Sequence, residues 1–149
     1  LAVFDPQHEQ IWKSTDHFGG TFAYIENREG DTKIGDLGER LFIPSPIKLT
    51  DVNDDGQREV LVCKNVSRTH RLTAKYREFA SGSVHFMSWD GLALSTEWKS
   101  QDFSGAVVGY ALSDVDGDTG EELVIAVVEN TASAFSGGKS VLILQHVKK

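Results

Sequence analysis

Residues 51–59, DVNDDGQRE, have a counterpart in DVDGDTGEE at residues 114–122, 63 positions further along the chain, with the same residue at positions 1, 2, 5 and 9. Both stretches place side-chain oxygens at positions 1, 3 and 5, a backbone carbonyl at position 7 and a carboxylate at position 9. Calcium takes six to eight oxygen ligands of these kinds. An apolar run rich in β-branched residues follows each stretch, as expected of a strand. We therefore predict two calcium loops, each leading directly into a strand.

Five residues in each loop are candidate calcium ligands. An EF-hand would carry its last ligand at position 12 and would lie between two helices, so this motif is excluded. The alternative is a solvated acidic hairpin turn, but a turn of that kind has no reason to recur with all five ligand positions filled. The predicted ligands are Asp51, Asn53, Asp55, Gln57 and Glu59 in the first loop and Asp114, Asp116, Asp118, Gly120 and Glu122 in the second.

The two loops differ in charge and in their bends. The second loop has four carboxylates at ligand positions and the first has three, which favours calcium at the second loop electrostatically. However, Gly56 at the bend of the first loop is matched by Thr119, a β-branched residue that is strained at positive φ. Gly117 and Gly120 flank Thr119 and could move the bend. We expect both loops to bind calcium.

The charge balance argues against nucleic acid as a partner. The chain of 149 residues has 15 Lys and Arg against 22 Asp and Glu, a net charge of -7. The seven carboxylates at ligand positions account for this excess of negative charge, so the acidic and basic residues of the rest of the chain are equal in number. The chain therefore lacks the basic surface that phosphate contacts need.

Other sequence features bear on location and processing. No run of 18 apolar residues is present, so we expect no membrane span in this segment. The chain opens at Leu1 in a strand pattern and without an initiator Met, which we interpret as a piece of a longer precursor. Cys63, the single cysteine, is predicted to be a buried free thiol.

A second repeated phrase surrounds the loops. Trp12-Lys13-Ser14 returns at residues 98–100, about 85 positions later, whereas the loops are 63 positions apart. About 22 extra residues therefore lie before the first loop, and we place them in an insertion at residues 21–46. Residues 84–89 alternate with period two, and Asp90-Gly91 predicts a type I′ hairpin turn before the return strand.

The order of strand, calcium loop, strand, connector, strand, turn and strand, with the phrase DVNDDGQREV, resembles the FG-GAP or VCBS repeats of integrin-like β-propellers. The resemblance implies an all-β fold of antiparallel four-stranded blades, with calcium between strands 1 and 2 of each blade. Residues 1–20 would end one blade, 21–46 would be the insertion, 47–100 a complete blade and 101–149 a partial last blade. A closed ring takes at least four blades. We interpret the chain as a C-terminal fragment; alternatively, copies associate, or the N-terminal strands complete the last blade.

The sequence favours a non-catalytic binding or scaffold module outside the cytoplasm, in the periplasm, on a cell surface or secreted. Calcium sites of extracellular modules bind at roughly 10⁻⁴ to 10⁻³ M, so these loops would fill only where calcium is abundant. The ligand would be a protein or a glycan. An alternative is a calcium-stabilised enzyme, a polysaccharide lyase or glycosidase, but the five histidines share no motif. Another is a sugar-binding lectin that uses Trp12, Trp89 or Trp98 for stacking.

Overall fold

The fold is all-β and antiparallel. A computed structural model describes residues 1–27, 39–68, 77–130 and 138–147, and these residues contain twelve strands and no helix. Within these ranges, no helix exists that could cross a membrane. The strands are β1 (Ala2–Phe4), β2 (Gln10–Lys13), β3 (Tyr24–Asn27), β4 (Glu39–Phe42), β5 (Lys48–Thr50), β6 (Glu59–Ser67), β7 (Phe79–Trp89), β8 (Leu94–Lys99), β9 (Phe103–Ser104), β10 (Ala106–Ser113), β11 (Glu122–Asn130) and β12 (Lys139–His146).

The strands form two larger sheets and two hairpins. The first sheet has the order β5-β6-β7-β8, with β9 also paired to β7, and the second sheet has the order β10-β11-β12. An N-terminal hairpin pairs β1 with β2, and an insertion hairpin pairs β3 with β4. Part of the predicted insertion, residues 28–38, lies outside the described residues. Because β1 and β2 pair with each other and not with β12, they do not complete the second sheet within one chain.

The core lies between the two sheets. Alternation along a strand sends every second side chain to the same face. Leu61 and Cys63 of β6 and Phe86 of β7 therefore turn together toward the second sheet, where Ile125 and Val127 meet them. Cys63 is a buried free thiol, as predicted, and burial raises its pKa.

Residues 12–20 cover the opposite face of the first sheet. The ring of Phe18 meets that of His85 edge to face at 5.4 Å, and Asp16 forms an ion pair with Lys64 at 2.8 Å. The backbone N–H of Gly19 donates to the carbonyl of Cys63 at 2.8 Å. The first sheet is therefore covered on both faces.

Asn65 joins three segments through its buried side-chain amide. Its Nδ2 donates to the carbonyl oxygens of Gly20 and Val107, each at 2.8 Å, and its Oδ1 accepts from the N–H of Val107 at 2.9 Å. Gly82 makes room for this arrangement, since a Cβ there would lie 2.3 Å from Asn65 Oδ1 and 2.7 Å from Val107 N. The amide thus fastens β6 of the first sheet to β10 of the second.

The hairpin of β7 and β8 is confirmed, but its predicted turn type is wrong. Trp89 pairs with Leu94, so four residues connect the strands, and within the turn Gly91 has positive φ whereas Asp90 does not. A type I′ turn would need positive φ at both central residues. The Asp90 carboxylate instead accepts from the N–H groups of Leu92 and Ala93, each at 2.8 Å, which stabilises the longer turn.

The N-terminal hairpin repeats the geometry of the β7–β8 hairpin, including its β-bulge. In both hairpins the residue directly before a tryptophan of the second strand is skipped, which means that it has no pairing partner on the first strand. Two residues after that tryptophan, a serine N–H donates back across the hairpin. The matching pairs are Val3↔Trp12 with Phe86↔Trp98 and Phe4↔Gln10 with Met87↔Thr96, and the skipped residues are Ile11 and Glu97. The repeat seen in the sequence therefore extends to backbone register.

Candidate metal centres

Each acidic loop joins two antiparallel strands whose last pair holds the loop ends together. The first loop lies between β5 and β6, where Thr50 pairs with Glu59, and the second lies between β10 and β11, where Ser113 pairs with Glu122. The glutamate at position 9 is therefore the first residue of a strand. Burial holds this glutamate side chain in place in both loops, since Glu59 is 5% exposed and Glu122 is 4% exposed.

The two loops bend in the same way. Positive φ angles occur at position 4, with 58° at Asp54 and 81° at Gly117, and at position 6, with 85° at Gly56 and 75° at Thr119. The predicted strain at Thr119 is therefore present, and the glycines on either side of it do not move the bend. Left-handed backbone disfavours a β-branched side chain, so Thr119 is held in place by the rest of the loop.

Backbone amides orient the candidate ligands in the same pattern in both loops. Four equivalent hydrogen bonds turn the side chains at positions 1, 3, 5 and 9 inward. The backbone N–H donors are at positions 6, 5, 7 and 2, respectively. In the first loop the bonds are Gly56 to Asp51 (2.9 Å), Asp55 to Asn53 (3.0 Å), Gln57 to Asp55 (2.7 Å) and Val52 to Glu59 (2.8 Å). In the second loop they are Thr119 to Asp114 (3.1 Å), Asp118 to Asp116 (3.1 Å), Gly120 to Asp118 (2.7 Å) and Val115 to Glu122 (2.9 Å).

The oxygens of the second loop lie close enough together to share one ion. One carboxylate oxygen from each of Asp114, Asp116 and Asp118 lies within 4.8 Å of the others. Oxygens on opposite sides of a calcium ion, each at 2.3–2.6 Å from it, are separated by about this distance. In the first loop, the Asn53 amide also donates to Asp55 at 3.0 Å, so its oxygen is the atom left to face an ion.

His146 joins the second loop, and the sequence did not predict it. The residue lies on β12 directly opposite Glu122, with its Nδ1 3.3 Å from Glu122 Oε1. A ring nitrogen of His146 and oxygens of Asp116 and Glu122 form a second group within 4.8 Å. Only the β11–β12 register brings the histidine to this place, and a local motif contains no sign of that register.

A groove of about 730 Å³ lies beside the first loop. Its walls include the aromatic side chains of Trp89 and Trp98 and the carboxylates of Asp55 and Glu97. Of the three tryptophans considered for stacking, these two share the groove, whereas Trp12 borders a different crevice with Met87 and Thr96.

His85 belongs to the interior, on a strand whose alternate residues are apolar. It is 6% exposed and lies between Ser83 and Thr96, which are 3.2 Å and 3.4 Å from its ring nitrogens. Burial, together with the positive charges of Lys99 and Lys64, lowers the pKa of its imidazole to about 4. The ring is therefore neutral at physiological pH.

The comparisons with family models, curated proteins and solved structures gave no match to this chain. The observations that bear on function are accordingly those of the chain itself. They are the doubled loop geometry, the repeated hairpin and the groove beside the first loop.

Proposed function

We propose that the chain is a calcium-binding β-propeller module of the FG-GAP or VCBS type, with one Ca²⁺ in each acidic loop. The observation that carries this proposal is the agreement of the two loops in φ angles and in four side-chain hydrogen bonds. An acidic surface turn has no reason to keep this arrangement twice, whereas two ions of the same kind require it. The ten candidate ligands named from the sequence fill the two sites.

The four-stranded order of β5 to β8 supports the assignment of a complete blade to residues 47–100. The shared bulge supports the assignment of the N-terminal hairpin as the last two strands of a preceding blade, and the second sheet as the first three strands of the next. The insertion at residues 21–46 then falls between blades.

The module is a non-catalytic binding or scaffold domain that works outside the cytoplasm. Short, exposed loops of this kind bind calcium at roughly 10⁻⁴ to 10⁻³ M in extracellular modules, so they fill outside a cell and stay empty within it. Filling a loop neutralises its carboxylates and ties together the two strands that it joins. The partner of such a module is a protein or a glycan.

Calcium titration of loop variants tests the proposal. Asp51→Asn with Asp55→Asn should lower the stoichiometry measured by isothermal titration calorimetry from two ions to one, and Asp114→Asn with Asp118→Asn should do the same. The single changes Asp54→Asn and Glu121→Gln remove a charge from each loop outside its ligand positions and should leave two ions bound. A stoichiometry that neither double variant changes would refute the assignment.

Sugar binding is a second candidate, favoured by the groove beside the first loop. Tryptophan faces stack on sugar rings while carboxylates accept hydrogen bonds from hydroxyl groups, and Trp89, Trp98 and Glu97 offer both. A glycan array should then identify an oligosaccharide whose binding is lost in Trp89→Ala and retained in Leu92→Ala, a change at the neighbouring turn. Glycan binding that survives Trp89→Ala would exclude this groove.

A further inference from the structure

The groove beside the first loop lies between the two sheets. Phe86 and Trp98 of the first sheet line it, and so does Val147, the residue that follows β12 of the second sheet. The groove is therefore the open end of the space between two packed sheets of one chain.

The first loop forms one side of this groove. Four of its five candidate ligands line the groove, namely Asn53, Asp55, Gln57 and Glu59, whereas none of the described residues 114–122 of the second loop does. An ion held by the first loop would therefore border the groove. Calcium takes six to eight oxygen ligands and the loop offers five ligand residues, so a molecule in the groove can supply oxygens that the loop does not.

The two loops differ in what lies opposite the glutamate at position 9. In the second sheet His146 lies opposite Glu122, with its Nδ1 3.3 Å from Glu122 Oε1. In the first sheet Ser88 has the corresponding place, one step beyond the pair Val60↔Met87. An imidazole therefore closes the second loop where the first loop faces a serine and the groove.

The carboxylate of Glu59 keeps one oxygen for a further partner. Its Oε2 accepts from the N–H of Val52 at 2.8 Å, and the Ser88 hydroxyl donates to Glu97 at 2.6 Å and not to Glu59. Among the described residues, no hydrogen-bond partner meets Glu59 Oε1, although the residue is only 5% exposed. Buried polar groups are normally paired, so this oxygen points to a bound ion or ligand.

We propose that the groove and the first loop form one site, which binds a neutral sugar with neighbouring hydroxyl groups only when calcium fills the loop. The sugar ring stacks on Trp89 or Trp98, one hydroxyl donates to Glu97, and hydroxyl oxygens complete the ligand shell of the ion. The inference rests on the calcium sites and the sugar groove proposed above. It adds that calcium in the first loop, and not in the second, controls sugar binding.

Charge distinguishes this occupant from others. The carboxylates of the lining, Asp55, Glu59, Asp90 and Glu97, outnumber its single guanidinium, Arg58, and therefore disfavour an acidic ligand. A cationic ligand would be repelled by Arg58 and by the ion once the loop is filled. A neutral sugar meets neither repulsion.

A glycan array with neutral and acidic glycans, probed in calcium and again in a chelator, tests the control by calcium. Neutral glycans should bind in calcium and be lost in the chelator. Asp51→Asn with Asp55→Asn should lose them too, whereas Asp114→Asn with Asp118→Asn should keep them. Coupling between two binding events is reciprocal, so a saturating amount of the strongest array glycan should tighten calcium binding at the first loop about tenfold.

Ser88→His tests the groove without removing a calcium ligand. It places at the first loop the imidazole that closes the second loop, so the variant should still bind two calcium ions but lose the glycan. The matched control, His146→Ser, should keep the glycan. Two bound ions in Ser88→His, measured by isothermal titration calorimetry, also show that the variant is folded.

Several results would overturn the proposal. They are an array on which no glycan or only acidic glycans bind, glycan binding that is equal in calcium and chelator, and a Ser88→His variant that binds calcium and keeps the glycan. Binding of a basic peptide that strengthens in the chelator would assign the groove to a cation instead. Each of these results leaves the calcium stoichiometry at two, whereas failure of the calcium sites themselves would change that number.

Discussion

Thr119 is the residue at which the two loops differ most in backbone cost. Its φ of 75° matches the 85° of Gly56, but a β-branched side chain is disfavoured there. The hydrogen bond from the Thr119 N–H to Asp114 depends on this conformation, so the bend cannot relax without turning a candidate ligand away. The second loop therefore combines more negative charge with a more strained backbone.

Thr119→Gly should stabilise the protein by about 0.5–1 kcal/mol, because relief of the strain exceeds the added chain entropy of glycine. The melting temperature in saturating calcium should rise by about 2–3 °C. The reciprocal change, Gly56→Thr, should lower it, and for conformational reasons only, since a Cβ at Gly56 meets no atom within 4 Å. Equal melting temperatures for both variants would contradict a strained Thr119.

The buried imidazole of His85 should make stability depend on pH below neutrality. Its folded pKa is about 4, against an ordinary value of 6.5, so between these values the unfolded chain binds more protons than the folded chain. Stability should therefore be full above about pH 6.5 and should fall by about 2–3 kcal/mol as the pH is lowered to 4. Urea denaturation with a calcium chelator present measures this change.

His85→Gln should flatten that profile, because the side chain no longer takes up a proton. Asp16 and Asp102, whose pKa values are lowered by hydrogen bonds from Lys64 and Lys99, contribute a loss of stability only at lower pH. A slope between pH 4 and 6.5 that persists in the variant would assign the effect to another group.

At the scale of elements, the Asn65 amide is a polar connection between the two sheets. Asn65→Ala should destabilise the protein by about 2–4 kcal/mol, because three hydrogen bonds are lost and buried backbone groups remain unpaired. Asn65→Asp should be at least as harmful, since a carboxylate would face the carbonyl oxygens of Gly20 and Val107. Val66→Ala, at the exposed next residue of the same strand, is the control. A small effect of Asn65→Ala in urea denaturation would show that apolar packing alone holds the sheets together.

Local chemistry explains what the sequence could predict. The positions of the two acidic loops, the bend at Thr119 and the flanking strands follow from local residue spacing, and the buried Cys63 follows from its place in an apolar run. The turn after Trp89 was predicted wrongly because the Asp90 side chain competes for backbone N–H groups. The position of His146 beside the second loop and the hydrogen bonds of the Asn65 amide were not predicted. Both depend on which strands pair and in what register, and this information is spread across the chain.

At the scale of the whole molecule, calcium should act as a stabiliser. A site at ten times its dissociation constant adds about 1.4 kcal/mol, so two sites should raise the melting temperature by about 5–10 °C. Addition of a chelator should reverse the rise, and a variant with both loops disabled, Asp51→Asn and Asp114→Asn with their partners Asp55→Asn and Asp118→Asn, should not respond. A melting temperature unaffected by the chelator in the unmodified chain would count against structural calcium.

The bulge shared by the two hairpins has a consequence for how far the repeats can diverge. One extra residue in a regular strand would turn every following side chain to the opposite face of the sheet. In both hairpins the extra residue before Trp12 and before Trp98 is unpaired, so the residues on either side of it keep their faces. The skipped position itself is free to be an isoleucine in one copy and a glutamate in the other. Deletion of Glu97 would leave Trp98 opposite Phe86 and Thr96 opposite Met87, now as neighbours in a regular ladder, so a copy of this hairpin could lose the bulge without turning either face over.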